Sequence, residues 1–262
     1  MKVKIYQVDA FTDTLFSGNP AAVCPLQERW LEDATMQKIA FENNLSETAF
    51  YLRNNNQLHI RWFTPSMEVD LCGHATLASA HVLFNHEQYG NSVIQFNSRS
   101  GILTVKKDNG FLAMDFPADT IGTAGMTENI RSCFDIQPQE LYRGKTDYML
   151  VYGNEEQIKN IRCNLANIAQ IKARGIIITA PGNECDFVSR FFAPQAGVDE
   201  DPVTGSAHTT LTPYWSKRLN KVELRAIQLS GRRGFLRCRN KGGRVEISGN
   251  AVTYMTGEIS IL

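Results

Sequence analysis

Two short segments of this sequence carry residues able to bind an anion and to move a proton: Cys72-Gly73-His74-Ala75-Thr76 and Asp201-Pro202-Val203-Thr204-Gly205-Ser206-Ala207. In each, a glycine and a small or polar residue open a run that can form a helix. The first backbone N–H groups of such a helix have no partner within it, and with the helix dipole they favour an anion placed before them. Two such ends suit a small carboxylate. The same residues also fit a plainer account, in which Gly73 and Gly205 permit tight turns or close helix packing and Ser206 is an ordinary N-cap.

Glu47, in Ser46-Glu47-Thr48, opens a strand-like stretch. At a buried cleft wall its carboxyl would rise in pKa and suit the removal and return of protons near neutral pH; at a solvated strand end it would do neither. His74 can donate to an anion or shuttle a proton. His208 is a weaker candidate, and His59, His81 and His86 have no supporting neighbours. Cys72 precedes the first glycine, but Thr204 stands in its place before the second. A racemase with a thiolate on each side of a carbon needs cysteine at both. Cys72 therefore reads first as a buried, inert residue.

These segments belong to a longer repeat. Arg61-Trp62-Phe63-Thr64-Pro65 returns as Arg190-Phe191-Phe192-Ala193-Pro194, Val69-Asp70 as Val198-Asp199, Gly73-His74-Ala75 as Gly205-Ser206-Ala207, and Arg99-Ser100-Gly101-Ile102-Leu103 as Arg232-Arg233-Gly234-Phe235-Leu236. The offset drifts only from 129 to 133. Solenoid and propeller units run to roughly 20–50 residues, so this period implies a duplicated domain instead. The halves are 1–117 and 118–262, and it stays open whether the last strand, about 251–262, crosses back to the first. The second copy has three extra residues, most simply Glu200-Asp201-Pro202, which bring a carboxylate to the helix mouth. Ser46-Glu47-Thr48 has Ile176-Ile177-Ile178 as its counterpart, so Glu47 is an acid against an apolar residue.

The elements that would position these groups follow from hydrophobic periodicity. Residues 2–11 alternate as a strand, Met36, Ile39 and Ala40 mark a helix within 31–44, and 47–53 and 58–63 read as hairpin strands joined at Asn54-Asn55-Asn56. The helix from Gly73 is small or apolar on nearly every side, so protein must surround it. Strands at 92–97, 101–106 and 111–116 complete the first half. The second half repeats them at 176–180, 186–192, 222–229, 234–239 and 244–248, around a helix from Gly205 in which Pro213 is expected to kink the helix or end its first segment. The fold class is α+β, duplicated, with each half a curved mixed β-sheet wrapped around a central buried helix.

Composition narrows the partners. Lysine plus arginine equal aspartate plus glutamate at 27 each, which gives no general attraction to nucleic acid or an anionic membrane. A small molecule is the expected partner. The six cysteines lack Cys-x-x-Cys spacing, against a structural zinc site or disulfide framework. With no signal-peptide pattern and no 18-residue apolar run, a cytoplasmic location is expected.

Asn19-Pro20-Ala21-Ala22-Val23, Ser46-Glu47-Thr48-Ala49-Phe50, Phe63-Thr64-Pro65 and the two helix-mouth segments, in this order over almost the whole chain, resemble the phenazine-biosynthesis PhzF family. That resemblance implies the diaminopimelate-epimerase fold, a homodimer, and no metal or organic cofactor. It implies Glu47 as the acid/base, His74, Asp201 and Ser206 as supporting catalytic residues, and Gly73 and Gly205, with Cys72 and Thr204 beside them, at the substrate. The family's characterised phenazine member isomerises trans-2,3-dihydro-3-hydroxyanthranilate by moving a proton between carbons. The expected activity is a cofactor-independent isomerase moving a proton on a small carboxylate-bearing metabolite. The alternatives are a PLP-independent amino-acid racemase or epimerase, and a noncatalytic small-molecule-binding protein on the same fold.

Overall fold

Alternation at the start of the chain produces the strand β1 (Lys2–Ala10), which is paired on both sides. The computed structural model describes residues 1–54 and 57–261. The chain divides into two units, Met1–Asp115 with Ser248–Leu262, and Phe116–Ile247. In the first, β1 is followed by β2 (Asn19–Leu26), α1 (Asp33–Asn43), β3 (Glu47–Asn54), β4 (Gln57–Phe63), β5 (Glu68–Val69), α2 (Gly73–Asn85), β6 (Val93–Ser98), β7 (Gly101–Asp108) and β8 (Phe111–Pro117). The expected Asn54-Asn55-Asn56 turn reaches into residues 55–56, outside the described residues. β2 and β3 pair parallel, β3 and β4 antiparallel, β4 and β6 parallel, β6 and β7 antiparallel.

Met36, Ile39 and Ala40 are the buried face of α1, which stops at Asn44 in the left-handed region (φ 49°), its N–H bonded to the Ala40 carbonyl. Ten of the thirteen residues of α2 are buried. Its inward polar groups are satisfied locally: Thr76 Oγ1 donates to the Cys72 carbonyl at 2.6 Å and Ser79 Oγ to that of Ala75 at 2.7 Å.

The second unit holds β9 (Gly122–Thr123), α3 (Glu128–Arg131), β10 (Glu140–Arg143), β11 (Asp147–Val151), α4 (Glu155–Asn160), α5 (Leu165–Ala169), β12 (Gly175–Pro181) and β13 (Phe187–Phe192). A 3-10 turn, Gly205–Ala207, then leads into α6 (His208–Leu219), β14 (Glu223–Gln228), β15 (Gly234–Asn240) and β16 (Arg244–Gly249). From β11 to β15 the strand senses run parallel, antiparallel, parallel, antiparallel, the order seen from β2 to β7. The last strand, β17 (Ala251–Ser260), lies in the first unit, antiparallel to β1 from Lys2↔Ser260 to Ala10↔Ala251. Each unit has its own apolar cluster, around Met36, Phe50 and Phe63 in the first and around Leu150, Ile178 and Phe192 in the second.

Three sequence expectations change here. Pro213 does not end its helix, which runs on to Leu219. Proline cannot bond the carbonyl four residues back, and that carbonyl, of Thr209, instead accepts the Asp119 N–H at 3.1 Å. Strand pairing also moves the counterpart of Glu47. Thr48 faces Phe63 whereas Ile176 faces Phe192, so Glu47 corresponds to Gly175 and not to Ile177. A Cβ at Gly175 would lie 2.4 Å from the Phe191 ring, so no side chain fits there. Finally, the three extra residues lie earlier than Glu200. Arg61 forks onto Glu68 with both bonds at 2.7 Å, as Arg190 does onto Glu200 at 2.7 and 2.9 Å. Val69 pairs with Trp62, and the Asp201 N–H meets the carbonyl of Phe191. The additional length is taken up by the 3-10 turn Pro194–Ala196 and a left-handed Gly197, φ 83°. Asp201 thus stands where the first unit has Val69.

Candidate functional site

Glu47 is the first residue of β3 and lies opposite Ala21 of the parallel strand β2. Asn19, two residues before Ala21, shares the Ala21 face because side chains alternate along a strand. The mouth of α2 comes to this corner. Cys72 is its extended N-cap (φ −142°, ψ 114°) and His74 sits in its first turn. The His74 ring lies between the strands' polar groups: Nε2 is 3.2 Å from Glu47 Oε2, and Nδ1 is 3.2 Å from Asn19 Nδ2 and 3.5 Å from Cys72 Sγ. Asn19 is fully buried, and the His74 and Glu47 side chains are 6% and 17% exposed. The four polar groups therefore act on one another in a medium far less screening than water.

Ligand atoms of Glu47, Cys72 and His74 all lie within 4.8 Å of one another, close enough to suggest a metal ion. The ring, however, presents different nitrogens to them. Cys72 is at Nδ1 and Glu47 at Nε2, and one ion cannot take both edges of an imidazole. The ring is hydrogen-bonded through Nδ1 to Asn19 and Cys72 and places Nε2 3.2 Å from the Glu47 carboxylate.

In the second unit the corresponding residues make a different cluster. Asp201 Oδ2 accepts the Thr204 hydroxyl at 2.6 Å. Gln228, fully buried, fixes this loop with three bonds: its Oε1 accepts the Thr204 N–H at 2.8 Å, and its Nε2 donates to the Asp201 carbonyl at 2.8 Å and to Thr204 Oγ1 at 3.2 Å. Ser206 Oγ accepts from Arg174 at 2.8 Å. Arg174 is itself held by a fork on the buried Asp147, through Nε to Oδ1 at 2.9 Å and through the second arm to Oδ2, and it lies over the Phe191 ring. His208 Nδ1 meets the Thr204 carbonyl at 2.9 Å, the bond that Thr76 makes to Cys72 in the first unit. Burial pushes the His208 imidazole down to about 4, against a smaller upward pull from that carbonyl, so it is neutral at pH 7.

The family model for phenazine biosynthesis-like proteins matches residues 8–257. The chain belongs to the PhzF family. An uncharacterized isomerase of Pseudomonas aeruginosa is 50% identical over the full length of both chains. The crystal structure of a PhzF-family protein from Enterococcus faecalis superposes with a TM-score of 0.96 at 44% identity, each chain covered completely. The fold extends further. A hydroxyproline epimerase from Agrobacterium vitis shares it at a TM-score of 0.62 and 8% identity, with 98% of this chain and 92% of that one covered. This PhzF-family chain is α+β in the diaminopimelate-epimerase manner, and the names of its relatives support an isomerase family. No helix among the described residues is long and apolar enough to cross a membrane.

Of the residues singled out in the sequence, Glu47, Cys72 and His74 meet in the first unit beside Gly73, and Asp201, Thr204 and Ser206 gather about Gly205 in the second. Four supporting residues were not. Asn19 lay inside a quoted motif, and its signal was an amide in an otherwise apolar strand. Gln228, Arg174 and Asp147 come from distant segments and have no local signature. His81 and His86 share the hydroxyl of Thr253, at 2.9 and 2.7 Å, apart from either cluster.

Proposed function

We propose that this protein is an isomerase that moves a proton on a small carboxylate-bearing metabolite, with Glu47 as the acid/base. The observation that carries the reading is the contact between Glu47 and the buried ring of His74, at a position whose counterpart is a glycine with no room for a side chain. An acid at one of two related places suits a reaction in which one group removes a proton and returns it elsewhere. The backbone amides at the mouth of α2 would stabilise charge developing on the substrate, His74 would act through its contact with Glu47, and Asp201 and Ser206 would support the site. Gly73 and Gly205, with Cys72 and Thr204, would lie at the substrate's carboxylate. The scheme calls only on side chains and backbone, and takes the protein to be a cytoplasmic homodimer.

The test is incubation in heavy water of a metabolite extract spiked with dihydrohydroxyanthranilate, followed by mass spectrometry. Wild type should yield a new or deuterated product, and Glu47→Gln should lower that rate by roughly 10²–10⁴-fold. Equal product with the glutamine variant would remove Glu47 from the chemistry. A two-thiol racemase is the weaker reading, because Thr204 occupies the second cysteine position and its hydroxyl is donated to Asp201.

A further inference from the structure

The two nitrogens of the His74 ring face groups with fixed hydrogen-bonding roles. At Nδ1 stands the amide nitrogen of Asn19, 3.2 Å away, which can only donate; the Cys72 thiol at 3.5 Å can donate to the same atom. At Nε2 stands Glu47 Oε2, 3.2 Å away, and a carboxylate can only accept. Nδ1 must therefore carry the lone pair and Nε2 the proton. The other two states fail at one end. An imidazolium, or the Nδ1–H tautomer, would point an N–H at the N–H of Asn19, and in a pocket this buried such an opposition costs free energy that water cannot relieve.

We infer that Asn19 is a positioning residue that holds His74 in the neutral Nε2–H form, so that His74 is a fixed donor to Glu47 and not a carrier of the substrate's proton. The second half rests on the function proposed above. Nε2 already bears a proton and cannot take another, while Nδ1 is turned toward Asn19 and Cys72. Removal and return of the substrate proton then both fall to Glu47. The Nε2–H group of His74, 3.2 Å from Oε2, favours the carboxylate form between turnovers, and no proton has to leave the glutamate for the ring. The direction of the chain is Asn19 to His74 to Glu47. Asn19 reaches the glutamate only through the ring.

The ring itself reports the answer. With ¹⁵N-histidine protein at pH 7, a long-range ¹H–¹⁵N correlation spectrum, assigned by loss of one ring in His74→Gln, separates the two tautomers and the imidazolium. Wild type should show His74 protonated at Nε2 and bare at Nδ1, in excess of roughly tenfold over the alternative. Asn19→Asp keeps the size and shape but replaces the donor by an acceptor, and should move a proton onto Nδ1. A merely structural asparagine would leave the ring's protonation as it was. A wild-type ring protonated at Nδ1, singly or doubly, overturns the inference, and so does an Asn19→Asp ring with the wild-type pattern. Should the aspartate variant not fold, the wild-type spectrum still decides the direction of donation. The spectrum needs no substrate, so absence of turnover in heavy water would count against the proposed function while leaving the tautomer to be read. Loss of turnover in Glu47→Gln with a ring protonated at Nδ1 would do the reverse.

Discussion

Single side chains set the protonation pattern of this molecule, and His208 is the clearest case. Its folded-state pKa is pushed by burial to about 4, below the ordinary histidine value of 6.5. The sign follows from proton counting: below 6.5 the unfolded chain takes up a proton that the folded chain refuses. Stability is thus flat above that value and is lost as the pH falls toward 4, at up to about 1.4 kcal/mol per pH unit. His81 is lowered to a similar value by burial, with His86 and Lys107 adding repulsion, and pulls the same way. Urea midpoints between pH 7.5 and 5 should fall steadily in wild type, and more shallowly in His208→Gln. An unchanged slope in that variant would mean that other groups carry the acid sensitivity. Glu47 was legible as a residue because its type is unusual at the start of an apolar strand. Its counterpart was not, since a two-residue shift in alignment leaves no trace in local sequence and appears only when Ile176 is seen opposite Phe192.

At the scale of elements, each helix mouth is braced by the residues at or just before the start of a strand, in opposite chemistry. Glu47 of β3 reaches His74, and Arg174, immediately before β12, reaches Ser206. The second brace depends on the fork between Arg174 and Asp147, whose side chain is 2% exposed. Arg174→Met should cost about 3 kcal/mol in urea unfolding, because it strands a buried carboxylate. Adding Asp147→Asn should recover a large part of that loss. Arg174→Lys should fall between, since an ammonium cannot match the planar fork and also reach Ser206. If all four proteins unfold alike, the fork contributes nothing to the loop. Helices α1, α2 and α6, most strands and both helix mouths were readable from periodicity and from the repeated Arg-aromatic-Phe segments. The elements from Gly122 to Ala169 were not, because those strands and helices are too short to show a period. Nor was the location of the additional residues readable. Val69-Asp70 and Val198-Asp199 look alike as letters, whereas the arginine forks show that Glu200 is the partner of Glu68 in role.

For the whole molecule, the order of elements along the chain matters more than any single contact. β1 has β2 on one side and β17 on the other, paired from Lys2 to Ala10, and the amino group of Met1 also donates to the Ile261 carbonyl at 2.7 Å. A chain stopped after Asn250 should lose backbone protection in residues 2–26 by hydrogen-exchange mass spectrometry. Residues 116–247 have a separate apolar cluster and should keep theirs. Equal loss in both would show that the second unit depends on the first for its stability.

That arrangement also bears on how the protein is made. During translation β1 leaves the ribosome well before β17, so one of its edges has no partner until Ala251–Ser260 has been synthesised. At about 5–20 residues per second, the interval is on the order of tens of seconds. The second unit, contiguous in sequence, can finish folding within it. The nascent strand β1 meanwhile presents an open row of backbone donors and acceptors, an edge that a chaperone would have to shield.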